Sequence, residues 1–250
     1  MFPTLLKIGS LTIHSYGLMV ALGFSVGLLF TIYYAQKEGI SIEAILNVAI
    51  YNIIAWIIGA RLFYVIGAWD QFRNNLWDIF MIQNGGMVFL GGLIFGLAAI
   101  FIVGGRERLP VLKILDAATP GSILGFAIGR VGCFLNGCCF GLPTNLPWGI
   151  EFPFGSLAYM YYPHQRIQPT QLYEFFGLLL VFIILIFIYK RKSFIGQVFF
   201  WGLLLYSIER FIFEFFRFSP IHWAGLTPSQ WIVIVLAGVA VRGLWRAKRT

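Results

Sequence analysis

Long hydrophobic runs, separated by short polar segments, dominate the chain. About 20 consecutive apolar residues are needed for a helix to span a bilayer, and seven runs approach this length. A transmembrane barrel would alternate apolar and polar residues over strands of about ten, which these continuous runs do not do. The pattern therefore predicts an all-α polytopic membrane protein with about seven transmembrane helices, over residues 16–35, 44–64, 85–103, 114–135, 172–189, 195–215 and 228–244.

Composition supports this interpretation. Of the 250 residues, 59% are hydrophobic and only 11% are charged, whereas a soluble domain carries about 25% charged residues. The length favours one integral membrane domain, residues 1–250. The opening residues lack the basic region and the cleavage site of a secretory signal, so we expect the first hydrophobic run to be retained.

The basic residues alternate between the two sides of the predicted helices. Eleven of the eighteen fall in one set of connecting segments and at the C-terminus, and the positive-inside rule places that set in the cytoplasm. The N-terminus is then periplasmic and the C-terminus cytoplasmic. The net charge of +8 is explained by this topology, so we expect no nucleic-acid partner. Residues 136–171, rich in Pro, Trp and Tyr, are predicted to form a small periplasmic cap.

Four arginines interrupt the hydrophobic runs or lie at their ends: Arg61, Arg130, Arg210 and Arg217. A charge at the bilayer centre costs at least about 2.5–3.5 kcal/mol, so these residues need a reason. The topology places them all in the outer half of the membrane. Glu214 lies four residues after Arg210 and three before Arg217, spacings that share one helix face. One interpretation is a structural ion ladder; for Arg61, simple snorkelling to the interface is another.

A second interpretation of the arginines is a binding site for a lipid head group. Guanidinium forms paired hydrogen bonds with phosphate and stays protonated, and phospholipid phosphates lie at this depth. Gly91 and Gly92 would let lipid or backbone approach closely, although small residues also serve tight helix packing. The sequence thus predicts an anionic lipid as ligand.

The three cysteines lie close together, at Cys133, Cys138 and Cys139. Their spacing is not C-x-x-C, and no second Cys or His pair completes four ligands, so we expect neither a metal site nor a cofactor. A disulfide from Cys133 to one of the other two is conceivable, because the periplasm is oxidising. Small buried thiols used in packing are the other possibility.

The stretch GRVGCFLNGCCFG, residues 129–141, resembles the signature of the bacterial prolipoprotein diacylglyceryl transferases. HSYGLM, GGMVFLGGLIFG, PTQLYE and ERFIFEFFR resemble further motifs of that family and occur in the expected order. The resemblance covers nearly the whole chain. It implies a multi-pass enzyme of the bacterial cytoplasmic (inner) membrane that takes part in lipoprotein biosynthesis.

The resemblance also implies a reaction and its partners. A diacylglyceryl group moves from phosphatidylglycerol to the lipobox cysteine of a prolipoprotein signal peptide, forming a thioether and releasing glycerol phosphate. Arg130 and Arg210 would bind and polarise the phosphate, and Tyr16 would place its hydroxyl near the head group. These three are the expected catalytic residues. The expected substrate-binding residues are Asn136, Gly141, Glu214, Arg61, Gly91, Gly92, Gln171 and Glu174.

Some residues depart from the family pattern. Cys133 stands where Asn is common, Cys138 where Glu is common, Leu90 where many members carry His or Tyr, and Gln168 where many carry His. These departures leave the proton acceptor unassigned, with Tyr16 and Glu214 as candidates. Two alternatives stay open: a membrane thiol oxidoreductase that uses the cysteines, and a lipid-binding relative that has lost the chemistry.

Overall fold

The computed structural model describes residues 4–8, 11–82 and 85–247. Within these residues, each hydrophobic run identified in the sequence coincides with a helix. The long helices are α1 Ser15–Lys37, α2 Ile42–Gly67, α4 Phe89–Arg106, α5 Val111–Asn136, α7 Thr170–Lys190, α8 Gln197–Glu214 and α9 Pro228–Ala247. The short ones are α3 Trp69–Phe72, α6 Leu157–Tyr161 and a 3₁₀ helix over Leu76–Phe80.

Five of the described helices, α1, α2, α5, α7 and α9, are long and apolar enough to cross a membrane, which makes the chain a multi-pass membrane protein. Helix α4 begins four residues later than expected and is a shorter apolar helix. Helix α8 carries three charged residues in its second half, Glu209, Arg210 and Glu214. The count of seven crossings and their direction remain predictions.

Short strands accompany the helices, which the sequence analysis did not predict. β1 (Thr4–Ile8) and β2 (Leu11–His14) form an antiparallel hairpin that leads directly into α1. β3 (Ile150–Glu151) pairs with β4 (Arg166–Ile167) in the segment predicted to be the cap. Strands of two to five residues are too short for an alternating pattern to identify them.

The cap segment has a small apolar core of its own. Phe140, Phe152, Ala158 and Ile167 are buried together. Phe140 stacks on Phe218, which follows α8, with ring centroids 5.5 Å apart. Aromatic burial of this kind fixes the end of α5 relative to the end of α8.

By packing, the described chain divides into two compact units. One comprises the residues up to Tyr34 and those from Leu115 onward, and the other is Ala35–Ile114. The expectation of a single domain remains a prediction.

In the first unit, α1 and α5 cross through glycines. A Cβ on Gly23 would lie 2.6 Å from the carbonyl oxygen of Gly125, and one on Gly27 would lie 2.9 Å from that of Gly121. Any side chain at these positions would push the backbones apart, because small residues are what permit such close helix contacts in membranes. This crossing fixes the start of α1 near the end of α5.

Asp116, which interrupts the fourth hydrophobic run, anchors the start of α8. Its carboxylate is fully buried and accepts hydrogen bonds from the backbone N–H groups of Gly196, at 2.7 Å, and Phe199, at 2.9 Å. Lys192 Nζ lies 3.5 Å away. A carboxylate at a helix N-terminus satisfies free N–H groups and interacts favourably with the helix dipole. The charge therefore has a structural role.

In the second unit, the glycines of the third hydrophobic run serve helix packing. A Cβ on Gly91 would overlap the carbonyl oxygen of Gly59 on α2, and one on Gly92 would overlap the ring of Trp56. Both glycines are buried against these partners. The expected approach of lipid to Gly91 and Gly92 is therefore replaced by close contact of α4 with α2.

Arg61, also in the second unit, has a structural role instead of the expected substrate contact. It is buried on α2, and Tyr64 and Phe72 place their rings within 6 Å of its guanidinium. An arginine has five N–H donors. All five donate to backbone carbonyls, those of Asp78, Ile79, Met81, Gly85 and Gly86. In this arrangement no donor is left for a lipid phosphate.

We expect Arg61→Met to destabilise the protein without changing any substrate contact. Five charged hydrogen bonds are lost, and since the carbonyls regain water, the net cost is about 3 kcal/mol. Thermal unfolding of the detergent-solubilised protein measures this effect. Arg73→Met is the matched control, because Arg73 pairs with Asp70 at an exposed position. Equal stability of the two variants would contradict the structural role.

Candidate active site

Arg130 and Arg210 meet at one carboxylate in the first unit. Arg130 Nη2 lies 2.5 Å from Oε2 of Glu174, and Arg210 Nη1 lies 2.9 Å from Oε1. Glu174 is 1% exposed. The residues come from three helices, α5, α8 and α7. The two arginines that the sequence singled out therefore lie side by side, held by one buried acid.

Glu214 extends this arrangement along α8. Its Oε2 lies 2.6 Å from Arg210 Nη2 and 3.9 Å from Arg217 Nη1. Its Oε1 accepts a hydrogen bond from Thr227 Oγ1 at 2.9 Å. The shared helix face predicted for Arg210, Glu214 and Arg217 agrees with this geometry. We call Arg130, Glu174, Arg210, Glu214 and Arg217 the arginine network; its three guanidiniums and two carboxylates leave one positive charge.

The arginines of the network differ in how fully the protein uses their donors. Arg210 directs both terminal nitrogens at carboxylates, and its side chain is 8% exposed. Arg130 has a side chain that is 19% exposed, and within the described residues Glu174 is the polar partner found for it. In the described part of the chain, the guanidinium of Arg217 makes one long contact, that with Glu214, and the side chain is 20% exposed. Arg130 and Arg217 thus keep donors for a ligand, in contrast to Arg61.

Gly141 joins three of the sequence motifs. Its N–H donates to the carbonyl of Gln168 at 3.1 Å, and it forms a bridge with Arg217. A Cβ here would lie 2.6 Å from the Gln168 oxygen and 2.7 Å from the Phe216 oxygen. No residue with a side chain fits without moving backbone. The expected substrate residue Gly141 is therefore a point of close packing beneath the network.

Gln171 and Thr170, at the start of α7, hold the end of the signature stretch. Gln171 Nε2 donates to the carbonyl of Cys138 at 2.7 Å, and Thr170 Oγ1 donates to that of Cys139 at 2.9 Å. Both side chains are fully buried. Gln171, expected to bind substrate, is thus engaged with the protein backbone one turn before Glu174.

The three cysteines converge on one point. All three are in the described part of the chain, each is a free thiol, and their sulfur atoms lie within 4.8 Å of one another. The pKa of Cys139 lies well below its usual range, because hydrogen bonds with the thiols of Cys133 and Cys138 and the charges of Arg217 and Arg130 favour its thiolate. The cluster therefore lies beside the arginine network.

Tyr16 and Asn136 border the cysteine cluster. Tyr16 is the second residue of α1, is 45% exposed, and lies within electrostatic range of Arg130 and of the three thiols. Asn136 ends α5, and its side-chain amide lies beside the Cys138 sulfur. The structure thus brings Tyr16, Asn136 and Arg130 to the cysteine cluster, and their roles in binding and catalysis remain predictions.

Glu209 was missed by the sequence analysis. It is buried on α8 and packs against Gly177 of α7. Gly177 lies one helical turn after Glu174. Within the described residues, neither of its carboxylate oxygens has a hydrogen-bond partner. The nearest charges are those of Glu174, Arg130 and Arg210. The sequence signal for Glu209 is an acid directly before Arg210, a spacing that does not place the two side chains on one helix face.

Comparison with known proteins identifies a single family. The sequence profile of the family described as prolipoprotein diacylglyceryl transferase matches residues 3–246. A phosphatidylglycerol–prolipoprotein diacylglyceryl transferase from Finegoldia magna is 36% identical over 230 residues, which cover 91% of this chain and 89% of that protein. The enzyme of the same name from Clostridium kluyveri is 37% identical over 235 residues, 94% of this chain and 92% of that protein.

A third relative gives the same result. The enzyme of that name from Synechococcus elongatus is 32% identical over 250 residues, covering 97% of this chain and 86% of its own length. The matches therefore include every segment that contributes to the arginine network. With a profile match along nearly the whole sequence and relatives above 30% identity over most of it, the chain belongs to the prolipoprotein diacylglyceryl transferase family.

Proposed function

We propose that the protein transfers the diacylglyceryl group of phosphatidylglycerol to the lipobox cysteine of prolipoproteins, the activity that its relatives' names describe. The observation that carries this proposal is the shared carboxylate of Glu174, which holds Arg130 and Arg210 together in one buried network. The donors that Arg130 and Arg217 keep for a ligand suit an anionic lipid phosphate.

In this proposal Arg130 is the group that contacts the phosphate. Its position beside Glu174 is fixed, its side chain is partly accessible, and it retains donors for a ligand. A planar guanidinium aligns two N–H groups with two phosphate oxygens. Arg217, which is similarly accessible, is the second candidate for this contact.

Arg210 fits a positioning role better than the direct phosphate contact expected from the sequence. Both of its terminal nitrogens already face carboxylates, those of Glu174 and Glu214. It neutralises the two acids, so that the charge of Arg130 remains available for substrate. Removal of one partner from such a buried network leaves an uncompensated charge.

The reaction then proceeds by displacement at carbon. The sulfur of the lipobox cysteine attacks the glyceryl carbon, the bond from that carbon to the phosphate oxygen breaks, and glycerol phosphate leaves. Charge builds up on the departing phosphate. Donors fixed in advance around such a charge commonly provide the largest single contribution to catalysis, and we assign that contribution to Arg130.

The remaining expected residues support this centre. Tyr16 supplies a hydroxyl near Arg130 and the thiols, and Asn136 places its amide beside the Cys138 sulfur. Gly141 and Gln171 hold the turn that follows α5. Glu214 engages both of its oxygens with Thr227 and Arg210, so it is less suited than Tyr16 to accept a proton. Base catalysis is secondary to phosphate stabilisation in this proposal.

The distribution of basic residues along the chain supports a proposed location in the cytoplasmic membrane and a proposed orientation across it. We place the protein in the bacterial cytoplasmic membrane, with the N-terminus periplasmic and the arginine network in the outer leaflet. Prolipoprotein signal peptides and phosphatidylglycerol both reach that side. The family match argues against the alternative of a thiol oxidoreductase. The following assay distinguishes an active transferase from a lipid-binding relative without activity.

We expect Arg130→Ala to lower the rate of lipid transfer by about 10²–10³-fold. This is the usual effect of removing one hydrogen-bond donor that stabilises negative charge in the transition state. Arg130→Lys keeps the charge but loses the paired geometry, so its rate is intermediate. The measurement is mass spectrometry of a lipobox peptide incubated in detergent with phosphatidylglycerol and the purified protein.

Arg166→Ala is the matched control for Arg130, because Arg166 is exposed in the cap segment of the same unit. We expect it to transfer lipid at the wild-type rate. Undiminished transfer by Arg130→Ala would overturn the proposed phosphate contact, and absence of transfer by the wild-type protein would favour the inactive relative.

We expect Glu174→Gln to lower both stability and the transfer rate. Two buried guanidiniums lose their shared negative charge, and breaking a buried ion pair costs about 3–5 kcal/mol. Thermal unfolding and the peptide assay measure the two effects on one preparation. Glu151→Gln is the control, since Glu151 pairs with His164 at an exposed position. A variant as stable and as active as the control would remove Glu174 from the proposed centre.

A further inference from the structure

The convergence of the three cysteines is not used by the proposed mechanism. They are all the cysteines that the chain contains, and their sulfur atoms lie within 4.8 Å of one another. A disulfide would join two sulfurs at about 2.05 Å and leave the third without a function. Packing alone does not require three sulfurs to face one point.

The backbone is shaped so that neighbouring cysteines face the same way. Helix α5 ends at Asn136, and Gly137 and Cys139 both have positive φ, 73° and 59°. Positive φ is uncommon outside glycine. The N–H of Cys138 donates to the carbonyl of Cys133 at 3.1 Å, which folds the turn back on the helix. This turn brings two adjacent side chains to the sulfur of Cys133.

Partners on α7 hold the turn in place. The buried side chains of Gln171 and Thr170 donate to the carbonyls of Cys138 and Cys139. Because these bonds fix the backbone on either side of the two sulfurs, the cluster is organised before any ligand arrives. A site of this kind binds a ligand with less loss of conformational freedom.

The dimensions of the cluster match a thiolate-bound metal ion. Zinc–sulfur bonds are about 2.3 Å, so tetrahedral thiolates around one ion lie about 3.8 Å apart. Small rotations of the three side chains bring sulfurs within 4.8 Å to that separation. Three thiolates and a divalent ion carry one net negative charge, and the guanidiniums of Arg130 and Arg217 lie close enough to stabilise it.

We propose that Cys133, Cys138 and Cys139 form a three-thiolate site for a thiophilic divalent ion, zinc or one that behaves like it. On binding, the ion displaces to solvent the protons that the three cysteines still carry. Three protein ligands with a fourth position open is the arrangement of zinc sites that bind an exchangeable ligand. Carboxylate-preferring ions such as magnesium do not suit this donor set.

The open position also fits the proposed transfer reaction, and this part of the inference rests on that function. A thiol that coordinates a metal ion loses its proton. The lipobox cysteine, bound in the fourth position, would release its proton to solvent and present a thiolate beside Arg130. Its sulfur then forms the bond to the glyceryl carbon, glycerol phosphate leaves with the bond electrons, and the ion keeps its three protein ligands.

Metal binding is tested on the full chain in detergent, reduced and freed of metal. We expect one equivalent of Co²⁺ to give thiolate charge-transfer absorption, and Zn²⁺ to displace it. The variant C133S/C138S/C139S has no thiol and is the matched control, with at least 100-fold weaker binding expected. Zn²⁺ is also expected to slow alkylation of the wild-type thiols by a maleimide, a readout that needs no variant.

Two results would overturn the metal site. One is Co²⁺ absorption and Zn²⁺ uptake no greater than those of the thiol-free variant, together with unprotected alkylation. The other is recovery of the protein from membranes with two of the three sulfurs joined in a disulfide. Neither result depends on transfer activity, so the proposed function would stand.

The fourth position is tested with two peptides. A lipobox peptide with its cysteine is expected to shift the Co²⁺ spectrum, whereas the same peptide with serine leaves it unchanged. Transfer is expected to fall at least 10-fold after chelation and to return with Zn²⁺. Full transfer by the metal-free protein would contradict the proposed coordination of the lipobox cysteine and would leave the metal site itself standing. Undiminished transfer by Arg130→Ala would instead count against the proposed phosphate contact.

Discussion

A single carboxylate, that of Glu174, determines what the rest of the site can do. Two guanidiniums from different helices would repel each other and resist burial. With Glu174 between them, Arg130 and Arg210 pack side by side inside a membrane protein. Glu214 then allows Arg217 to join the same network. Helices α5, α7 and α8 are therefore held together by charge pairing at the place where we propose that the anionic substrate binds.

The sequence was informative where a physical rule acts on single residues or on long runs. Hydrophobic length located the long helices, because each must be apolar over most of a bilayer's thickness. The cost of burying charge identified Arg130 and Arg210, and helical spacing identified the contact between Arg210 and Glu214. The short strands and the partners of Arg61 depend on tertiary contacts that no local pattern encodes. For that reason the sequence left Arg61 open between ligand binding and snorkelling, and its backbone partners became known only from the structure.

The cysteines show the same limit in another form. Metal sites are usually recognised from fixed spacings between ligand pairs, and the stretch that contains Cys133, Cys138 and Cys139 has no such spacing. Positive φ at Gly137 and Cys139 replaces it with a turn that gathers all three sulfurs. The three sulfur donors are brought together by the conformation of the backbone. The cluster therefore cannot be recognised from the sequence until the structure of the turn is known.

The glycine crossing of α1 and α5 has a consequence for the path of the lipid. Where Gly23 and Gly27 face Gly125 and Gly121, the two backbones are in direct contact, with no room even for a methyl group. An acyl chain is wider than a methyl group, so this seam is closed to lateral passage. Fatty tails must reach the polar centre through some other gap between helices, and the lining of that portal will select which lipids enter.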